Sequence, residues 1–406
     1  MPSTHGKLAP ESQGDPGGAI AHVPALDGLR GLAILLVLME HFGVVADLPH
    51  RIPFPGAAWI ERIFYVGWSG VDLFFVLSGF LITSILLESR DQPNYYRRFY
   101  ARRILRIFPL YYTVLILCLL VLPALFPSRA TALLGQALGG QIWLWTYTLN
   151  IGMALGYIAN AGILGQFWTL TIEEQFYFFW PWLVKTFSVR ALVRICVLLS
   201  LGALGLRFWW LRSGDWAGAY RFTLTRVDAL ALGALAAILV RDAGWRRRLA
   251  QIAPAGLVGG LTILAVIFLK VPHFYSSEWI VVTAGHSIVA MTFVCALIIA
   301  LREPAPRWLT SSVMRAIGKY SYGIYVWHWP FRQILLIGWY GPLTATASGV
   351  ALADVAIFTI GGVGGSIFLG WASYHLLERR FLELKSHFRY EPRQGTSVSA
   401  SVQPVP

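Results

Sequence analysis

The stretch "LDGLRGLAILLVLMEHF", residues 26–42, is apolar enough to enter a membrane, yet it carries Arg30, Glu40 and His41. An ionisable side chain in lipid costs about 2.5 to 3.5 kcal/mol even on insertion-based scales, so each must be used or hidden. Arg30 and His41 are eleven residues apart. At 100° per residue they fall within about 20° of one helix face, and they are separated by about 16 Å along the axis. They share a face but cannot touch, so two separate roles suit them better than one dyad. The plainer reading is that Arg30 snorkels to the interface and His41 is a satisfied interhelical hydrogen-bonder.

The whole chain has the same character. Of its 406 residues 56% are hydrophobic and 13% charged, with 17 Trp, 17 Tyr and 24 Phe, against about 25% charged in an average soluble domain. The net charge of +13 is confined to short clusters between apolar runs. That pattern is one of membrane topology, not of nucleic-acid binding. Cys118, Cys196 and Cys295 lie far apart inside apolar runs and indicate neither a disulfide framework nor a cysteine metal site. Residues 1–23 lack a signal-peptide pattern and are expected to form a disordered cytoplasmic tail, with a second such tail at 389–406.

Ten stretches are long enough to span: 24–46, 68–88, 104–126, 167–187, 192–212, 223–241, 253–271, 279–301, 318–339 and 349–378. An eleventh, 133–156, is diluted by Gln, Asn, Thr and Gly. The positive-inside rule decides its status. The clusters at Arg90–Arg103, Lys185–Arg194, Arg241–Arg248, Arg302–Arg315 and Arg379–Arg389 all fall in the cytoplasm only if 133–156 does not cross. The expected fold is therefore an all-α, polytopic integral membrane helical bundle of about ten transmembrane helices, with both termini cytoplasmic. Residues 133–156 are then re-entrant or interfacial on the outer side.

Other polar residues recur inside these stretches. Asp72 needs water or a partner, while Ser78, Gly79 and Thr83 suggest close helix packing. Arg102, Arg103 and Arg106 precede Pro109 and serve either as a cytoplasmic anchor or as a grip for phosphates. Glu173 and Glu174 lie about 10 Å into their span, flanked by Trp168, Tyr177 and Trp180. One of them can pair with an arginine, take part in proton transfer or orient an imidazole. Arg226 and Asp228 suggest a local ion pair. In "SYGIYVWHWP", 321–330, Tyr325 and His328 belong to an aromatic belt or to a ligand-facing wall. His286 is assigned to packing.

Six segments in order resemble the integral-membrane acyltransferase 3 family. They are Arg30 with His41, "GVDLFFVLSGFLI" at 70–82, "RRILRIFP" at 102–109, Trp168 to Tyr177 with Glu173 at the acid position, "TRVDALALG" at 225–233 and "SYGIYVWHWP". The resemblance runs from Leu26 to about Phe381 and marks 24–388 as the membrane acyltransferase domain. It implies transfer of an acyl group, commonly acetyl, from acyl-CoA as co-substrate to a hydroxyl of a carbohydrate-type acceptor. The acceptor would be an envelope polysaccharide, a lipid-linked glycan or a glycosylated metabolite, and the site the cell's inner (cytoplasmic) membrane. It also implies His41 as the catalytic imidazole and Arg30 as a partner of the donor, with no bound cofactor and no metal. Glu173 or Glu40 is then a candidate to hold the imidazole in its useful tautomer. Arg102, Arg103 and Arg106 are expected to receive the donor, and Asp72, Ser78, Trp168, Tyr177, Arg226, Asp228, Tyr325 and His328 to bind substrate or support the site. Many relatives carry an appended soluble esterase-like domain, which is not seen here. Acceptor choice then rests on the membrane domain, where 127–166 is expected to line the acceptor side, or on a separate periplasmic or glycan-assembly protein. The competing class is a proton-coupled transporter or flippase of a glycan precursor, against which stands the absence of matching halves.

Overall fold

The computed structural model describes residues 23–43, 56–271, 278–336 and 352–388. The tails up to residue 22 and from 389, and the span ends 44–46, 337–339 and 349–351, lie outside the described residues. Among the described residues ten helices of fifteen residues or more coincide with the ten apolar stretches. They are α1 (Pro24–Gly43), α2 (Ser69–Ser89), α3 (Tyr95–Ile116), α4 (Phe167–Thr186), α5 (Val189–Arg212), α6 (Thr223–Leu239), α7 (Ala243–Lys270), α8 (His286–Ala300), α9 (Ser312–Leu335) and α10 (Leu352–Ser373). No strand occurs among the described residues. Side-chain oxygens start several helices by taking an otherwise unpaired backbone N–H. Ser188 accepts from Ala191 at 3.3 Å, Asp242 from Trp245 at 2.9 Å and Ser311 from Met314 at 3.3 Å.

Among the described residues seven helices, counted with the turns that extend them, are long and apolar enough to cross a membrane. These are α2, α3, α5, α6, α7, α8 and α10, so length and hydropathy alone do not reach the expected ten. The other three carry charged residues and, among the described residues, have no apolar extension of the kind that carries α3 on to Leu125. α1 carries Asp27, Arg30 and Glu40, α4 carries Glu173 and Glu174, and α9 carries Arg315, Lys319 and Arg332.

Burial ranks the helices from centre to rim. The apolar stretches containing α2 and α6 are 72% and 67% buried, whereas that of α7 is 6% buried and faces outward. α2 and α6 meet through glycine. A Cβ on Gly79 would stand 2.0 Å from the Leu230 carbonyl oxygen, and one on Gly233 would stand 2.1 Å from that of Val76. Only residues without a side chain let two backbones approach this closely. The basic ends also meet one another. Arg90 donates to the carbonyls of Lys185 at 3.2 Å and Phe187 at 2.9 Å, Arg102 to those of Lys385 at 3.5 Å and Phe388 at 3.4 Å, and Arg302 to that of Ala250. These contacts gather several basic clusters at one end of the bundle.

Between α3 and α4 the chain breaks into short turns, the longest being the eight residues Pro127–Leu134. None spans a bilayer, which agrees with 133–156 not crossing. Polar bonds stitch this segment to the bundle. Asn150 donates to Thr223 at 2.8 Å and accepts from Thr171 at 2.8 Å, and Tyr111 donates to the Leu144 carbonyl at 2.7 Å.

Candidate active site

A cavity of about 100 Å³ opens among α1, α2, α3, α4 and α9. Its size suits a group of a few heavy atoms, since an engineered cavity of about 150 Å³ takes benzene. Arg30, Arg103 and Arg106 line it together with Glu173, Tyr177 and Ser78. Three guanidinium groups against one carboxyl favour an anionic guest. Arg30 also pairs with Asp27 at 3.3 Å. The Arg103 guanidinium lies 5.6 Å from the centre of the Tyr177 ring.

On the other wall a proton chain is set by valence. Tyr177 donates to Glu173 Oε2 at 2.8 Å, which commits its single O–H, so Ser78, at 2.8 Å, must donate to the Tyr177 oxygen. The i, i+4 spacing on α4 brings Glu173 and Tyr177 together. Ser78 therefore does more than pack. Arg102 turns away from the cavity lining to the carbonyls noted above.

His41 lies outside this cavity lining, as its distance along α1 from Arg30 requires. Its Nδ1 is 3.0 Å from His328 Nε2, the two rings stack at 4.9 Å, and Trp329 meets His41 edge-on at 4.8 Å. Arg332 donates to the His41 carbonyl. Glu40 Oε2 stands 3.9 Å from His41 Nε2. Glu173 bonds Tyr177 instead, so the neighbour of His41 Nδ1 is another histidine. The two compartments are joined by Tyr325. Its ring lines the cavity, its hydroxyl donates to the Gln166 carbonyl at 2.9 Å, and its own carbonyl takes His328 Nδ1 at 2.6 Å.

A second polar cluster corrects two expectations. Arg226 and Asp228 do not pair with each other, because residues two apart point about 200° from one another on a helix. Arg226 pairs with Asp72 of α2 at 2.9 Å, and Asp228 with Arg207 of α5 at 2.8 Å. His286, assigned to packing, sits 3.3 Å from Asp72 and edge-on to Trp68 at 4.7 Å. Ser287 donates to Asp228 at 2.7 Å. Asp72, Arg207, Arg226, Asp228 and His286 are all buried, so four helices are locked by charges that lipid never meets. Trp168 meets Tyr220 at 5.0 Å with the two ring planes tilted by 52°, and the Tyr220 ring also lies under Arg226, 5.2 Å from its guanidinium carbon. Trp168 thus belongs to this cluster and not to the cavity lining. Among the described residues no group of three or more His, Cys, Asp or Glu is placed to hold a metal ion.

Residues 23–375, most of the chain, match the family model Acyl_transf_3, described as an acyltransferase domain. The chain belongs to the acyltransferase 3 family. Among curated members, the peptidoglycan O-acetyltransferase OatA of Listeria monocytogenes is 27% identical over 332 residues, covering 76% of this chain and 49% of the relative. The O-acetyltransferase OatA of Staphylococcus aureus is 27% identical over 328 residues, covering 76% and 50%. A putative peptidoglycan O-acetyltransferase of Bacillus subtilis, YrhL, is 28% identical over 329 residues, covering 76% and 48%. The chain spans about half the length of the curated relatives it matches. No solved structure matches it. In this family member, then, the six ordered segments fold into an arginine cavity, a histidine pair beside it and a buried charge lock.

Proposed function

We propose that this chain is a membrane O-acyltransferase that moves an acyl group, acetyl in the first instance, from acyl-CoA to a hydroxyl of a peptidoglycan-type polysaccharide. The observation that carries the reading is the pairing of a small cavity lined by Arg30, Arg103 and Arg106 with a histidine pair reached through Tyr325. The cavity's cationic walls suit the anionic groups of a phosphate-rich donor. The names of the relatives support the acceptor class. The gathered basic ends support entry of the donor from the cytoplasmic face of the inner membrane. A separate periplasmic or glycan-assembly protein is the natural supplier of acceptor.

In the step itself the acceptor hydroxyl gives its proton to His41 Nε2 while its oxygen bonds the acyl carbon. The carbon–sulfur bond breaks, and the leaving thiolate takes the proton from Nε2, so the imidazole returns to its starting form. Glu173, with Tyr177 and Ser78, orders the donor side. The test is transfer of labelled acetyl from acetyl-CoA by the purified full chain in liposomes, with His41→Ala beside it. Loss of transfer in a folded His41→Ala protein is expected. Equal transfer by that variant, or movement of a glycan precursor without acylation, would overturn the proposal.

A further inference from the structure

We propose that His328 is a positioning residue that holds His41 in its Nδ1–H tautomer and so leaves Nε2 as the basic atom. The inference deepens the reading of His41 as the base and rests on it.

A carbonyl oxygen can only accept a hydrogen bond. His328 Nδ1, 2.6 Å from the Tyr325 carbonyl, therefore carries a proton. A neutral imidazole has one N–H, so His328 Nε2 presents a lone pair. His41 Nδ1, 3.0 Å from that lone pair, must then be the donor. By elimination His41 Nε2 is bare. The opposite tautomer would set two lone pairs against each other at 3.0 Å in a site with little room to rotate.

The direction of this chain is anchored in backbone. Pro330 has no N–H, which removes the helical donor of the Val326 carbonyl. Gln166 Nε2 takes that place at 3.2 Å. In the same interrupted turn the Tyr325 carbonyl meets the His328 ring. The His41 and His328 rings lie 4.9 Å apart with their planes inclined by 29°, and the edge of Trp329 at 4.8 Å packs against His41 from another side. Glu40, at 3.9 Å, stands beside Nε2, so no carboxylate competes for Nδ1. The arrangement does the tautomer-setting work that a carboxylate does in hydrolase triads. It does so with a neutral group, which avoids placing another charge within the bundle.

Histidine-selective ¹⁵N NMR of the full chain in liposomes reads the tautomer directly, with the His41 signal assigned by its loss in His41→Gln. The wild type is expected to show His41 protonated at Nδ1 and bare at Nε2. In His328→Phe, which keeps a ring but offers no acceptor, His41 is expected to shift to the Nε2–H form or to a mixture. In the transfer assay that variant should lose about 10²-fold or more in kcat, with the acyl-donor KM within about twofold. His328→Gln, whose side-chain oxygen replaces the Nε2 acceptor, should return kcat to within about tenfold of wild type. An Nε2–H tautomer in the wild type would sink the proposal, as would an unchanged tautomer or full kcat in His328→Phe. If His328→Phe does not fold, the wild-type spectrum and the His328→Gln kinetics still decide. The predicted tautomer in a protein whose His41→Ala variant remains active would instead overturn the catalytic reading and leave the positioning role intact.

Discussion

Tyr177 donates a hydrogen bond to Glu173 Oε2 at 2.8 Å, and this single bond turns the carboxyl on α4 toward the arginine cavity. Glu173→Gln keeps an oxygen to accept that bond but cannot carry the negative charge or move a proton. We expect it to lower kcat by about 10²-fold with little change in melting temperature. Steady-state kinetics alongside a thermal melt check this; an active Glu173→Gln enzyme would reduce the residue to a packing role.

Arg103→Ala and Arg106→Ala each remove a charge from the cavity wall. A charge-assisted hydrogen bond is worth about 1.5 to 3 kcal/mol, so acyl-donor KM should rise by about 10- to 100-fold. Lysine at either position should recover only part of this, having no planar fork. Arg102→Ala should cost less, because its guanidinium faces the carbonyls of Lys385 and Phe388. A larger donor defect in Arg102→Ala than in Arg103→Ala would place the donor elsewhere.

Asp72→Ala leaves Arg226 buried without its carboxylate partner. Breaking such a pair costs about 3 to 5 kcal/mol, whereas replacing both members by apolar groups is often nearly neutral. Asp72→Ala should therefore unfold well below wild type, and the double variant Asp72→Leu with Arg226→Met should regain most of the loss. Unfolding curves in one detergent settle the comparison. Equal stability of wild type and Asp72→Ala would contradict the lock.

Gly233→Val sets a branched side chain where even a Cβ would come within 2.1 Å of the Val76 carbonyl oxygen. α2 and α6 must then separate, and the variant should fail to give folded protein by size-exclusion chromatography. Gly259→Val on the outward-facing α7, where a Cβ meets nothing within 4 Å, should fold normally.

Local chemistry made much of this protein legible in advance. The positions of the long helices coincide with the apolar runs, and seven of these are apolar enough to span a membrane on their own composition. The common face of Arg30 and His41 followed from the helical period. The same period sets Arg226 and Asp228 about 200° apart, which is why the local pair their proximity suggests does not form. Gly79 signalled a close crossing by its size alone. The importance of His286 had no local signal, since a histidine in an apolar run reads alike whether it packs or pairs.

Partner choice is another matter, because it joins residues far apart in the chain. Asp72 and Arg226 are separated by 154 positions, and His41 and His328 by 287. No period or spacing encodes which of several buried carboxylates meets which arginine. The crossing of α2 with α6 decides the first pair, and the course of α9 along α1 decides the second. The sequence by itself determined that costly polar groups would be gathered inside a helical membrane bundle, since lipid offers them nowhere else to go. Only the tertiary structure decided that Arg30 faces a cavity with Glu173 while His41 faces a second histidine. That division depends on helices meeting at one distance and angle, which is a property of the packed bundle and not of any one segment.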